Sequence, residues 1–261
     1  MAAALVTGAS RRAGIAAEVA LALARDGWDV ATTCWRPYDA TEPWGSRAEE
    51  AEQLVAELRT LGVRASLHED DLSDPAAPAR VVDEAETAVG PLTALVAVHA
   101  HSELGGLLET TAQQLDRHFA VNARATALLC AEFAHRFRGE PGSGRIVTFT
   151  SGLPLNGEIA YAASKGALEW LTVSAAVELG GRGITANAVD PGPTDTGWMT
   201  DELKAAVEDA TPLGRAGRAE DAARLVAFLC SPAGGWITGQ VLHSDGGFGW
   251  VRVARRGREV D

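Results

Sequence analysis

The sequence predicts a single α/β domain, built as a doubly wound sheet of seven parallel strands with helices on both faces. Three observations carry this expectation. Short β-branched runs alternate with longer stretches of helical periodicity, the pattern of βαβ units. No linker-like run divides the 261 residues, a length that supports one substantial core. The residues most suggestive of chemistry fall just beyond strand ends, where doubly wound sheets bind ligands.

In chain order, Ala3 to Thr7 reads as the first strand, Ile15 to Arg25 as a helix closed by Gly27, and Asp29 to Cys34 as the second strand. Ala48 to Leu61 carries Ala51, Leu54, Val55 and Leu58 on one helical face, with Gly62 past its end. Arg64 to Glu69 forms the third strand. Asp74-Pro75 pairs a cap with a first-turn proline and opens a helix that stops near Gly90-Pro91. Ala94 to Ala100 is the fourth strand, Gln113 to Phe137 one long helix, and Arg145 to Ser151 the fifth strand. A helix over Ala160 to Leu179, a sixth strand over Ile184 to Val189, a helix over Ala219 to Cys230 and a seventh strand over Gln240 to Ser244 complete the pattern.

Composition excludes several classes. Hydrophobic residues make up 46% and charged residues 22%, as in water-soluble globular proteins, and no apolar run approaches the roughly 20 residues of a membrane span. Met1-Ala-Ala-Ala-Leu-Val lacks the basic lead of a secretory signal, so a cytoplasmic protein is expected. Cys34, Cys130 and Cys230 are odd in number and have no histidine at metal-ligand spacing, which predicts reduced thiols and no metal. A net charge of −12 opposes a nucleic-acid partner, and Arg252, Arg255, Arg256 and Arg258 read as a solvated tail spanning 249–261.

Tyr161-Ala-Ala-Ser-Lys165 is the most informative motif. Four residues make about one helical turn, so the phenol and the ammonium share a face, and a nearby cation favours the ionised phenol. Such a tyrosine is a candidate general acid or base. Directly after the first strand, Thr7-Gly8-Ala9-Ser10-Arg11-Arg12-Ala13-Gly14-Ile15-Ala16 leads small residues into a helix whose N-terminus suits a pyrophosphate. The surface alternative, a solvated Tyr-Lys pair and an ordinary strand-to-helix turn, is outweighed by the two motifs occurring together in this order.

With these motifs in place, the chain resembles the short-chain dehydrogenases/reductases, a Rossmann-fold family, over nearly its whole length, and is similar to proteins labelled 3-oxoacyl-carrier-protein reductases. Thr7, Gly8 and Gly14 match the family's dinucleotide turn, here two residues longer, with Ser10, Arg11, Arg12 and Ile15 beside them. Asp71-Leu72 matches the segment used on the adenine, and Ala97 stands first in the segment where the family has Asn-Asn-Ala-Gly beside the adenosine. Asn122 and Ser151 match the asparagine and serine of the catalytic tetrad, and Pro191, Gly192, Thr194 and Thr196 match the segment lining the nicotinamide. Trp236-Ile-Thr-Gly239 and Asp245-Gly246-Gly247 resemble the closing signature.

The resemblance implies a ketoreductase that interconverts a carbonyl and a secondary alcohol. Tyr161 would exchange the proton, Ser151 would hold the reacting oxygen, Lys165 would bind the nicotinamide ribose and keep Tyr161 acidic, and Asn122 would position a water for proton supply. Arg11 and Arg36, with no carboxylate closing the second strand, point to NADP(H) over NAD(H); Asp39, set off by Pro37-Tyr38, is the counterweight. Leu153, Leu155, Ile159, Trp198 and Met199 are the candidate substrate wall, under a lid at about 193–212, and a small carbonyl compound is the expected partner. A homotetramer or dimer is implied by the family.

Three departures stand out. Ala97-Val98-His99-Ala100 replaces the family's Asn-Asn-Ala-Gly, Ser151 and Tyr161 stand only ten residues apart with Thr150 as the fallback hydroxyl, and the glycine turn is lengthened. A dinucleotide-binding sensor without turnover and an enoyl reductase on the same fold remain the alternatives.

Overall fold

A computed structural model describes residues 2–42, 45, 47, 49–151 and 157–249. Strands β1 (Ala3–Thr7), β2 (Asp29–Cys34), β3 (Ala65–Glu69), β4 (Ala94–Ala97), β5 (Gly144–Phe149), β6 (Ile184–Asp190) and β7 (Val241–His243) form one seven-stranded sheet. The order is β3-β2-β1-β4-β5-β6-β7 and every pairing is parallel. The order reverses between β1 and β4, which opens the crevice in which such sheets hold ligands. Every residue of β1, β2, β4, β5 and β6 is buried, as expected of strands covered on both faces, whereas β3 and β7, at the edges, are partly exposed.

On one face, helices α1 (Ile15–Arg25), α3 (Glu50–Thr60) and α9 (Ala219–Cys230) lay Val19, Leu23, Leu54, Leu58, Val226 and Leu229 against the sheet. On the other, α4 (Ala77–Val89), α6 (Thr126–Arg136) and α7 (Ile159–Leu179) supply Val81, Val82, Leu129, Phe133 and Ala176. Burying each such large side chain contributes about 1.5–3 kcal/mol. The heavy use of alanine in α1 and α9 lets the two helices approach closely.

The sequence-based boundaries hold to within one or two residues except in four places. A short helix α2 (Arg36–Asp39) follows β2, where the sequence predicts no helix; Pro37 is accommodated because it sits in the first turn. The stretch expected as one long helix is three pieces: α5 (Ala112–His118), a π-helical turn over Phe119–Ala125, and α6. Strand β4 ends at Ala97, three residues early, because Thr7 Oγ1 captures the Val98 and His99 amides at 3.1 and 3.4 Å and takes them out of the ladder. Finally, α8 (Asp201–Ala210) lies in the expected lid, capped by Thr200, whose hydroxyl accepts the Leu203 N–H at 3.2 Å. No helix among the described residues is long and apolar enough to cross a membrane.

Candidate active site

Tyr161 stands near the N-terminus of α7 and Lys165 one turn on, with Nζ 6.0 Å from the phenol ring centroid. Lys165 is 2% exposed and donates from Nζ to the Phe149 carbonyl, 2.8 Å away at the end of β5. Burial without a carboxylate partner pulls its ammonium down to about 8. Against the expectation that Lys165 keeps Tyr161 acidic, the surroundings of the phenol act in the other direction. Burial, then the Glu158 and Asp190 carboxylates, push the phenol above its ordinary value. Tyr161 is consequently held protonated at neutral pH, the form a proton donor needs.

Asn122 lies on the π-helical turn with its amide fully committed. Oδ1 accepts the His101 N–H at 2.7 Å, while Nδ2 donates to the His101 carbonyl at 2.9 Å and to Ser164 Oγ at 2.8 Å. Ser164 in turn donates to the Tyr161 carbonyl at 2.8 Å. Asn122 is therefore tied to the helix turn that carries both Tyr161 and Lys165. Ser164 escaped the sequence reading, although a small polar residue on the Tyr-Lys face of an otherwise apolar helix is a visible signal. Thr150 is removed as the fallback hydroxyl: it is buried and donates to the Lys165 carbonyl at 3.0 Å, so its oxygen serves the helix backbone. Ser151 follows it, half-buried and two residues past the end of β5.

At the head of the glycine turn, Thr7 pairs in register with Ala97 of β4. Gly8 has φ +80°, and a Cβ there would lie 2.7 Å from His99 Cα. Only glycine fits. Gly14 precedes α1 and provides no side-chain cap, which leaves the amides of the first turn, from Ile15 on, to an outside acceptor. A dinucleotide pyrophosphate suits that donor set. Ser10 is half-buried in the same turn.

The three arginines differ in placement. Arg12 is held by Glu18 at 2.6 Å and Glu57 at 3.1 Å, and its backbone N–H by Glu50 at 2.8 Å, so the two-residue extension pins the turn to α1 and α3. These contacts make Arg12 a brace of the turn. Arg11 reaches across to the segment after β6, where Nη1 donates to the Thr196 carbonyl at 3.0 Å, and its Nε lies 3.9 Å from Asp39. Arg36 sets its Nε 3.0 Å from both Glu69 oxygens, with Nη1 2.7 Å from Glu52.

Asp71 accepts the Ser73 N–H at 2.8 Å, turning the chain after β3, and Leu72 beside it is buried. Beyond β6, Asp190 accepts the Gly192 N–H at 3.0 Å, and Thr194 Oγ1 donates to the Pro191 carbonyl at 3.1 Å, a turn that buries Thr194 and Thr196. Trp198 is 46% exposed and anchored by its indole N–H to the Thr194 carbonyl at 2.9 Å, so it does not fill the core. Met199 packs with Val207, Ala216 and Phe248 in a satellite cluster beneath α8. Ile159 is half-buried at the start of α7, while Leu153, Leu155 and the basic tail lie outside the described residues.

A family model described as enoyl-(acyl carrier protein) reductase matches residues 8–249. The chain is 43% identical over 249 residues to an uncharacterized oxidoreductase, YjdA, of Bacillus subtilis, covering 94% of this chain and 96% of that one. It is 34% identical over 252 residues to the 3-oxoacyl-[acyl-carrier-protein] reductase FabG of Staphylococcus aureus, at 94% and 96% coverage. Among solved structures, a short-chain dehydrogenase from Burkholderia cenocepacia in complex with NADP superposes with a TM-score of 0.84 at 38% identity, covering 94% of this chain and 97% of that one. Sequence, sheet order and the placement of Tyr161, Lys165 and Asn122 converge, and the chain belongs to the short-chain dehydrogenase/reductase family of oxidoreductases.

Proposed function

We propose that the protein is an NADP(H)-dependent ketoreductase, interconverting a carbonyl and a secondary alcohol with Tyr161 as general acid/base. The observation that carries this reading is the turn that sets half-buried Tyr161 beside buried Lys165, tied through Ser164 to Asn122 and set at the carboxyl ends of the central strands. The bound nicotinamide supplies the hydride. Tyr161, kept protonated by burial, donates to the developing alkoxide, and Ser151 orients that oxygen and stabilises its charge. Lys165, its ammonium lowered by burial to about 8, holds the ribose and passes protons on, with Asn122 fixing the turn on which this depends.

The first-turn amides of α1 hold the pyrophosphate, with Gly8 and Ser10 lining the turn, Asp71, Leu72 and Ala97 at the adenosine, and Pro191, Gly192, Thr194 and Thr196 at the nicotinamide. Arg11 and Arg36 take the 2′-phosphate, supported by the NADP bound to the Burkholderia cenocepacia relative. Trp198 and Ile159 form the apolar side of the substrate site under α8. Trp170 and Val177, strongly exposed on α7, supply an apolar face for a homotetramer, and the three buried thiols suit a reducing cytoplasm.

NADPH oxidation across panels of ketones and enones tests the assignment. Turnover of ketones that disappears in Tyr161→Phe is expected. Turnover confined to enones would favour enoyl reduction, a second reading that the description of the matching family model supports.

A further inference from the structure

His99 stands in the segment that replaces the family's Asn-Asn-Ala-Gly, and its ring is enclosed, with the residue 8% exposed. Nε2 lies 3.1 Å from the Val121 carbonyl and 3.4 Å from Thr126 Oγ1, and Nδ1 lies 2.6 Å from Thr7 Oγ1. A carbonyl only accepts, so Nε2 carries the proton and Nδ1 accepts from the Thr7 hydroxyl. That hydroxyl then receives the Val98 N–H. Val121 belongs to the π-helical turn, whose wider spacing changes which carbonyls the helix itself uses. Burial and the neighbouring Lys165 charge both oppose imidazolium and bring the ring down to about 3.

We propose that His99 is a positioning residue whose neutral ring spans Thr7, at the head of the glycine turn, and Val121, next to Asn122. The strut holds the dinucleotide turn and the Asn122–Ser164–Tyr161 chain in one register. Its neighbour completes the grip, because the His101 backbone accepts from and donates to the Asn122 amide. The segment after β4 thus hooks two consecutive residues of the π turn, one by a ring and one by a main chain. The catalytic consequence rests on the reading of Tyr161 above, whereas the strut itself does not.

Two measurements on the full chain test it. Nitrogen-15 spectra of histidine-labelled protein should show one ring, identified by its loss in His99→Gln, as the Nε2–H tautomer and unchanged between about pH 5.5 and 8. A His99 ring that takes up a proton in that interval, or is protonated on Nδ1, overturns the proposal whether or not the protein turns over any substrate. In kinetics and dinucleotide titration, His99→Leu removes the ring's hydrogen bonds at similar volume and should weaken dinucleotide binding and lower kcat, each by about tenfold. His99→Gln can still present an N–H to Val121 and should recover most of kcat. Leu performing as well as Gln in both readouts would show that the ring only fills space. Should His99→Leu fail to fold, the wild-type spectra decide alone.

Discussion

Replacing Gly8 by alanine separates two physical costs that arise independently in the structure. The first is conformational: φ is +80°, a region where a Cβ costs about 1–2 kcal/mol. The second is steric, because the new Cβ would lie 2.7 Å from His99 Cα and 2.9 Å from His99 N, backbone atoms that no rotamer change can move. Overpacking of this kind costs about 1–3 kcal/mol more. Gly27, just past α1, is the internal control, with φ +83° and nothing within 4 Å of the position its Cβ would take. Gly27→Ala should therefore lose about 1–2 kcal/mol and Gly8→Ala about 2–5 kcal/mol, a difference of several degrees in Tm. Thermal and guanidinium denaturation at one fixed protein concentration measure both. Because relief of the clash must displace His99, and with it Thr7 and Val121, Gly8→Ala should also weaken dinucleotide binding while Gly27→Ala should not. Equal destabilisation by the two substitutions, or wild-type dinucleotide affinity in Gly8→Ala, would refute the reasoning.

Other outcomes follow from the same geometry. His99 is depressed to about 3 against an unfolded value near 6.5, so between these pH values the unfolded chain binds a proton that the folded chain refuses. Stability should fall by about 2 kcal/mol as the pH drops from about 6.5 to 5, and calorimetry should find a smaller fall in His99→Gln; an identical fall would contradict this. Since Tyr161 is raised, carbonyl reduction should stay nearly flat around neutral pH while alcohol oxidation climbs as the solution becomes basic, and initial rates in both directions check this. Tyr161→Phe should lower kcat by about 10²–10⁴-fold yet leave dinucleotide fluorescence titrations nearly unchanged. Arg11→Ala should raise the KM for NADPH roughly tenfold or more with little effect on NADH. Arg36→Ala should do less, because Arg36 must first give up Glu69 and Glu52; equal effects on both cofactors in steady-state assays would count against 2′-phosphate recognition.

What could be read in one dimension was whatever depends on local periodicity and on motif order. The strand-helix alternation, the apolar face of α3, the helix from Ala219 to Cys230 and the Tyr161–Lys165 turn all follow from spacings of two or about four residues, and the structure places each where the spacing does. The breaks were not legible for a shared reason: each is imposed by a partner far along the chain. Strand β4 stops because Thr7, about ninety residues earlier, takes its amides. The long helix opens into a π turn where Asn122 and Val121 answer the segment around His99 and His101.

Charge followed the same division. The sequence by itself determined that Arg11, Arg12 and Arg36 follow the ends of the first two strands, yet only the tertiary structure decided that Arg12 braces the turn through Glu18 and Glu57. It determined that a phenol and an amine share a helix face, but burial beside Glu158 and Asp190 set the direction of the phenol's shift. Periodicity and motif order are written in covalent succession, so the chain carries them alone. Protonation, hydrogen-bond partnership and the end of a strand depend on desolvation and on neighbours brought together from distant positions, and these exist only once the sheet has closed.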